Sequence, residues 1–329
     1  MTRQIAVVGT INHDRIVTPA GETYEDLGGI LYNVLTMAPF LGADDSLLPV
    51  ARVGAERRAE VETLLSPYPC IDLSRLLWWP GGTNETVLRY LSADVREESL
   101  VERIVPLREE EVQGAADSRI VIANLIWGKE LDPTLLHVLA SRGARVLLDI
   151  QSLTLTFRQG PGRAYRNIPA WREWAAPVEV LKGNEEEIRW FAGEDGPHSG
   201  AILGAMRKLL GAGPSVVVAT KGTAGSTVAW REGDRTRAAE VRPLDVPPEE
   251  CVDATGCGDA YTSGFALALL DDEGPPEAAL LGSTLAGLVC RTRGLRALAG
   301  LPDPWKIRKE VYRPEIERMA RGEFGAGID

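Results

Sequence analysis

Cysteine is scarce. The 329 residues hold four, Cys70, Cys251, Cys257 and Cys290, and no two form a C-x-x-C pair. Neither a zinc knuckle nor a disulfide framework is indicated, and reducing surroundings are expected. Histidine is scarcer still, with three residues in all, which leaves little material for a histidine metal centre. No apolar run reaches the ~20 residues that a membrane helix needs. No secretory signal precedes the strand-like "IAVVG" at 5–9, so a cytoplasmic protein that does not enter membranes is expected. Basic clusters are missing too. Lys and Arg number 36 against 47 Asp and Glu, a formal net charge of −11. Acids interrupt the densest basic stretch, "RVGAERR" at 52–58, so no nucleic-acid partner is expected. A chain this acidic that handles phosphate must do so at one local site, through backbone amides or a bound cation.

What is present is a steady alternation of strands and helices. The apolar runs at 5–9, 47–54, 119–125, 145–151, 178–184 and 215–222 are short and near-continuous. Helix-period segments separate them at 28–43, 57–66, 132–143, 185–193 and 200–213. Buried strands alternating with amphipathic helices predict an α/β fold: a doubly wound, mainly parallel sheet flanked by helices. With 44 % hydrophobic and 25 % charged residues the chain has an ordinary globular composition, and 1–329 is read as a single domain. Two stretches break the rhythm, 10–27 and 78–96. Their alternating, partly polar patterns suit either strands of a small inserted sheet or plain surface hairpins.

"CVDATGCGDAYTSGF" at 251–265 places small residues and an acid ahead of an apolar run. Glycine-rich backbone entering a helix presents unpaired N–H groups at the positive end of the helix dipole, which binds anions without a lysine. Asp259 falls in the first turn, beside such a pocket, and can take a proton from a hydroxyl. A simple helix cap explains the same residues. No G-x-x-x-x-G-K-[ST] occurs, and "GCGDAY" lacks the third glycine of a dinucleotide fingerprint. A nucleophilic Cys257 would need a base that the spacing does not supply. Similar devices recur elsewhere. Gly28 and Gly29 open a helix with Asn33 one turn on, "GNEEEI" at 183–188 sets Asn184 three residues before Glu187, and "TKGTAG" at 220–225 is a tight turn after a buried strand. All lie at helix starts or at carboxyl ends of strands, the edge where open α/β sheets bind ligands.

Taken in order, "GGILYN", "GNEEE", "TKGTAG" and "DATGCGDAYTSG" resemble the ribokinase-like (PfkB) family of sugar and nucleoside kinases over nearly the whole chain. The resemblance implies a small β-sheet lid on the core. It makes Asp259 the general base and the amides of Gly256, Cys257 and Gly258 the anion hole. Asn184 and Glu187 match the family's N-x-x-E, which orders Mg²⁺ through water. Thr220, Gly222 and Gly225 match the nucleotide turn, and Asp14, Gly28, Gly29 and Asn33 the residues that hold substrate hydroxyls. Asp253, with the region 289–294, falls where many members bind a monovalent cation such as K⁺. Ala254 and Cys257 depart from the family pattern, each keeping a small side chain and a backbone N–H.

The resemblance implies transfer of the γ-phosphoryl of ATP to a hydroxyl of a small sugar, polyol or nucleoside, with homodimers paired through the lid. A ligand sensor that keeps the fold without turnover is the competing class, and a dinucleotide oxidoreductase lacks its glycine fingerprint. The acceptor stays open. Arg52, Arg89 and Arg158 suit either a phosphosugar or solvated surface, and Trp78, Trp79 and Trp127 suit either stacking or packing. His13 suits either substrate contact or a plain loop. "LLDIQSLTLTFR" at 147–158 resembles a D-x-Q element of a less typical branch with polyol and nucleoside kinases among its members.

Overall fold

A strand that is apolar at every position has to be covered on both faces, and that requirement sets the architecture. The computed structural model describes residues 3–18, 20–91, 96–156, 163–193 and 202–328. Its strands are β1 (Arg3–Thr10), β2 (Asn12–Val17), β3 (Thr23–Leu27), β4 (Asp45–Gly54), β5 (Leu76–Trp79), β6 (Asn84–Tyr90) and β7 (Arg96–Val101). They continue with β8 (Ile120–Asn124), β9 (Arg145–Asp149), β10 (Val180–Asn184), β11 (Val216–Thr220), β12 (Ser226–Glu232), β13 (Arg235–Val241) and β14 (Ala326–Gly327).

One sheet runs β14-β13-β12-β11-β10-β9-β8-β1-β4-β5. From β11 to β5 all neighbours are parallel, and β12, β13 and β14 extend the edge antiparallel. Along β1, Ile5 and Val7 enter one core cluster while Ala6 and Val8 enter the other, so the period of two feeds both faces. Helices Leu31–Met37, Cys257–Leu270 and Pro275–Val289 cover the first face. Helices Pro133–Ala140, Trp171–Ala175, Glu185–Phe191 and Ile202–Leu210 cover the second. The α/β, doubly wound, mainly parallel sheet expected from the sequence is therefore present. The chain leaves β1 toward β4 and β5 and later returns to β8 on the other side, which makes the β1–β8 boundary the topological switch point. Among the described residues no helix is long and apolar enough to cross a membrane.

Three elements differ from the sequence expectation. The helix expected over 28–43 is Leu31–Met37, followed by a 3₁₀ turn at Ala38–Phe40, because Pro39 cannot donate to the helical ladder. The small second sheet that the two inserts allowed for is present: ordered β3-β2-β6-β7, it pairs β2 with β6 in parallel and is otherwise antiparallel, with β7 running past the insert at 78–96. Trp78 and Trp79, grouped above with the second insert, belong instead to β5, where they pair with Val53 and Gly54 of β4. β14 was not legible as a strand; it is a two-residue pairing on β13.

Arg52 of β4 is neither a surface charge nor a cavity residue. It is buried, its Nη2 donates to both carboxylate oxygens of Glu111 (2.5 and 2.6 Å), and its Nη1 donates to the Val105 carbonyl at 2.8 Å. Removing one partner of a buried pair leaves an uncompensated charge, which costs about 3–5 kcal/mol. Arg52→Met is therefore expected to lower the urea midpoint sharply at unchanged slope. Arg52→Met/Glu111→Gln should recover a large part of that loss.

Candidate active site

The switch point opens into a cavity of about 250 Å³, near the lower end of small-molecule pockets. Asn12, Asp14, Thr86, Leu88 and Glu98 reach it from the second sheet. Lys182, Asn184 and Thr220 reach it from the ends of β10 and β11, and Gln151 from the residues just past β9. Residues 254–256 with Gly258 and Asp259 supply a further wall, where helix Cys257–Leu270 begins.

That helix start depends on Gly256. Its φ is +80°, and a Cβ there would lie 2.1 Å from the Tyr32 ring, so both backbone conformation and space require glycine. Gly28 answers a related demand, because a Cβ there would lie 1.8 Å from Asp14 Oδ2. Its missing side chain is the room that the Asp14 carboxylate occupies.

Asp259 lies in the first turn of the helix and is only 8 % exposed. Its Oδ1 accepts from Asn124 Nδ2 and Gln151 Nε2, both at 2.7 Å. Its carbonyl accepts from Asn33 Nδ2 at 2.9 Å and Ser263 Oγ at 2.8 Å. Burial, and next the charge of Asp149, push the Asp259 carboxyl up to about 6, while Lys182 and the two amide donors pull it back. Lys182 Nζ meets Asp149 Oδ2 at 2.7 Å and the Gly258 carbonyl at 3.2 Å. Burial alone would lower the Lys182 pKa, but the charges of Asp149, Glu187 and Asp259 outweigh it and the pKa is raised. The lysine is therefore an ammonium.

Of the residues singled out in the sequence, Asp14, Gly29, Asn184, Glu187, Thr220, Gly256, Gly258 and Asp259 line the cavity. Asn33 does not: it is fully buried and holds Asp259 from behind, its Oδ1 accepting from Asn124 at 2.7 Å. The Cys257 amide bonds the Ala254 carbonyl at 3.3 Å. Asn184 and Glu187 form a reciprocal capping box, Glu187 N–H to Asn184 Oδ1 at 2.8 Å and Asn184 N–H to Glu187 Oε2 at 2.7 Å. Gly222 and Gly225 shape the turn after β11 without lining the cavity. A Cβ on Gly225 would lie 2.1 Å from the Val241 carbonyl. Asp253 accepts the Tyr24 hydroxyl at 2.6 Å and the Thr255 amide at 2.9 Å.

Among the described residues no group of three His, Cys, Asp or Glu could hold a metal ion. A divalent cation here would be shared with phosphate oxygens and water around the Glu187 carboxylate, a mode that magnesium favours. Trp78, Trp79, Trp127 and His13 do not line the cavity. Arg89 is exposed on β6, and Arg158 lies outside the described residues.

Residues 163–303 match the model of the pfkB family of carbohydrate kinases. A cytidine kinase of Thermococcus kodakarensis is 28 % identical over 268 residues, covering 79 % of this chain and 86 % of that protein. Residues 163–303 thus resemble the pfkB family, and the chain is similar to ribokinase-like kinases over most of its length. Solved structures with the same fold include Arabidopsis thaliana ribokinase in complex with ribose and ATP, at TM-score 0.71 and 18 % identity over 94 % of this chain and 98 % of that one. A pyrophosphate-dependent kinase of the ribokinase family, with a pyrophosphate analogue and myo-inositol, aligns at TM-score 0.67 and 18 % identity over 94 % and 99 %.

Motif reading overlooked Asn124 and Lys182 and did not assign Asp149 and Gln151 a place in the site. Asn124 and Lys182 sit inside apolar strands, where a lone polar residue on a buried strand is itself a signal. Gln151 carries a second mark, a positive φ of +23° in a non-glycine residue, the kind of strain that clusters at functional sites. Because hydrogen bonds to a carboxylate lower its pKa, Gln151→Ala is expected to move the Asp259 titration upward from about 6. Carboxyl-carbon NMR titration reads the shift directly, and an unchanged midpoint would show that Gln151 does not hold this oxygen.

Proposed function

We propose that the chain transfers the γ-phosphoryl group of ATP to a hydroxyl of an uncharged sugar, polyol or nucleoside, with Asp259 as general base. The observation that supports this best is a carboxylate pushed to about 6, lining the cavity at the N-terminus of a 14-residue helix. Two donors hold Oδ1, which leaves Oδ2 as the oxygen available to a hydroxyl. The acceptor O–H passes its proton to Asp259 while its oxygen bonds to the γ-phosphorus. The bond to the bridging oxygen breaks with its electron pair on ADP, and Asp259 later returns the proton to solvent. The amides of Gly256 and Gly258, at the positive end of the helix, face the charge spreading over the phosphoryl oxygens, and the Cys257 amide joins them only by leaving the Ala254 carbonyl. Thr220 and Asn184 stand on the nucleotide side, and Glu187 orders Mg²⁺ through water; the ion neutralises phosphate charge when bound. Asp14, with Gly28 giving it space, takes acceptor hydroxyls beside Gly29.

The acceptor reading follows from charge. Asp14, Glu187 and Asp259 line the cavity, Glu98 is already paired with Arg163, and Lys182, the one lysine among the described lining residues, already faces Asp149. A phosphorylated acceptor would meet repulsion there. Likeness to the cytidine kinase puts nucleosides first, and the myo-inositol and ribose complexes keep polyols and sugars in the panel.

Thermal shift with a non-hydrolysable ATP analogue and each acceptor should single out one compound class, since ternary binding raises Tm by mass action. With that acceptor, Asp259→Asn is expected to lower kcat by about 10²–10⁴-fold while nucleotide affinity stays within a few-fold. Full turnover in the variant refutes the base. Proton uptake by Asp259 removes the base, so kcat/KM should fall as pH drops through about 6, roughly tenfold per unit below it. An acid limb near the ordinary carboxylate value would contradict a desolvated base.

A further inference from the structure

Three of the four cysteines gather around the segment that leads into helix Cys257–Leu270, a clustering invisible in their linear spacing. Cys251 Sγ and Cys290 Sγ stand 2.8 Å apart, closer than two non-bonded sulfur atoms normally sit. Cys251 is exposed and Cys290 half-buried, whereas Cys70 lies elsewhere, against the Ala38 carbonyl. The backbone is already aligned around the pair. The amides of Val252 and Asp253 both donate to the Cys290 carbonyl, at 2.8 and 3.1 Å. Closing a bond of about 2.05 Å then needs only a small movement of the sulfurs. A metal thiolate centre is a poorer fit, since no three-ligand group forms among the described residues.

We propose that Cys251 and Cys290 form a dithiol–disulfide couple, a reversible staple joining the loop before the anion turn to the end of helix Pro275–Val289, oxidised by small-molecule disulfides. The exposed Cys251 thiolate attacks one sulfur of the small disulfide. That S–S bond breaks, one small thiolate leaves, and Cys251 carries a mixed disulfide. The Cys290 thiolate then attacks the Cys251 sulfur and expels the second small thiolate. Two protein thiols are oxidised, one small disulfide is reduced to two thiols, and the two protein protons end on the released thiolates.

The staple sits where the second sheet is moored. Asp253, two residues from Cys251, accepts the Tyr24 hydroxyl, and Leu295, five residues past Cys290, donates its amide to Asp26 Oδ2 at 3.0 Å. Tyr24 and Asp26 both belong to β3. Oxidation therefore stiffens both ends of the β3 mooring. None of this depends on the phosphoryl-transfer reading.

The full chain, equilibrated in glutathione buffers from fully reduced to fully oxidised, tests the couple. Alkylation should count four thiols in the reduced protein and two in the oxidised one. The oxidised mass should be lighter by two hydrogens, and peptide mapping should join the peptide holding Cys251 to that holding Cys290. Closing a loop of this length should raise Tm by roughly 5 °C, and dithiothreitol should reverse it. Cys251→Ser, at an exposed position, should abolish the rise, and Cys70→Ser should keep it. Four thiols persisting in oxidised buffer, a product that stops at the glutathione adduct, or a bridge to Cys257 would each overturn the proposal.

Discussion

Two buried carboxylates repel each other strongly where water is excluded, and keeping Asp149 and Asp259 close together is the constraint that organises the rest of the site. Lys182 answers it by meeting Asp149 directly and lowering the Asp259 pKa. Thr262 adds a hydroxyl to the same Asp149 oxygen at 2.7 Å, and Asn124 and Gln151 add two amide donors to Asp259. Each group comes from a different place in the chain: Asn124 ends β8, Asp149 ends β9, Lys182 is in β10, and Asp259 opens a helix. The parallel order of β8, β9 and β10 is what lays these ends side by side. A one-residue slip in any strand would turn its polar group to the opposite face of the sheet.

The helix start and the carboxylate network work in the same direction. The positive field at the beginning of helix Cys257–Leu270 favours an ionised Asp259, which keeps desolvation and Asp149 from raising its pKa still further. The same field attracts an arriving phosphate. Base and anion pocket thus share one source of charge stabilisation, and Gly256 secures both, since a bulkier residue would displace Tyr32 and the turn together.

The parallel core was readable because strands such as "IAVVG" and "VVVAT" are apolar throughout, a pattern that only two-sided burial explains. The glycine–aspartate turn was readable as a helix start, and only its order with the other three motifs set it apart from a plain cap. What stayed hidden depends on contacts between distant segments. Asn33 looked like a ligand from its position after Gly28 and Gly29, yet its neighbours are Asn124 and Asp259, 91 and 226 residues away. Arg52 suited either a phosphosugar contact or solvated surface, and only the fold reveals Glu111 beneath it. Trp78 and Trp79 read as part of an irregular stretch because β5 is a four-residue edge strand, too short to show a period.

The two sheets also differ in how firmly they are held. The large sheet is buried between two apolar layers, and separating them would expose most of the core. Polar links such as Tyr24 to Asp253, Tyr90 to Thr255 at 2.9 Å and Arg163 to Glu98 at 2.6 Å connect the second sheet to the residues around the cavity. Each such link is worth only about 0.5–3 kcal/mol net. Burial of Ile16, Leu27 and Leu88 adds an apolar component to this attachment. Two of the links end on Asp253 and Thr255, in the segment that leads into Gly256. The second sheet and the anion turn are therefore joined through one short segment, so a change that breaks the Tyr24 or Tyr90 link acts directly on the approach to Gly256.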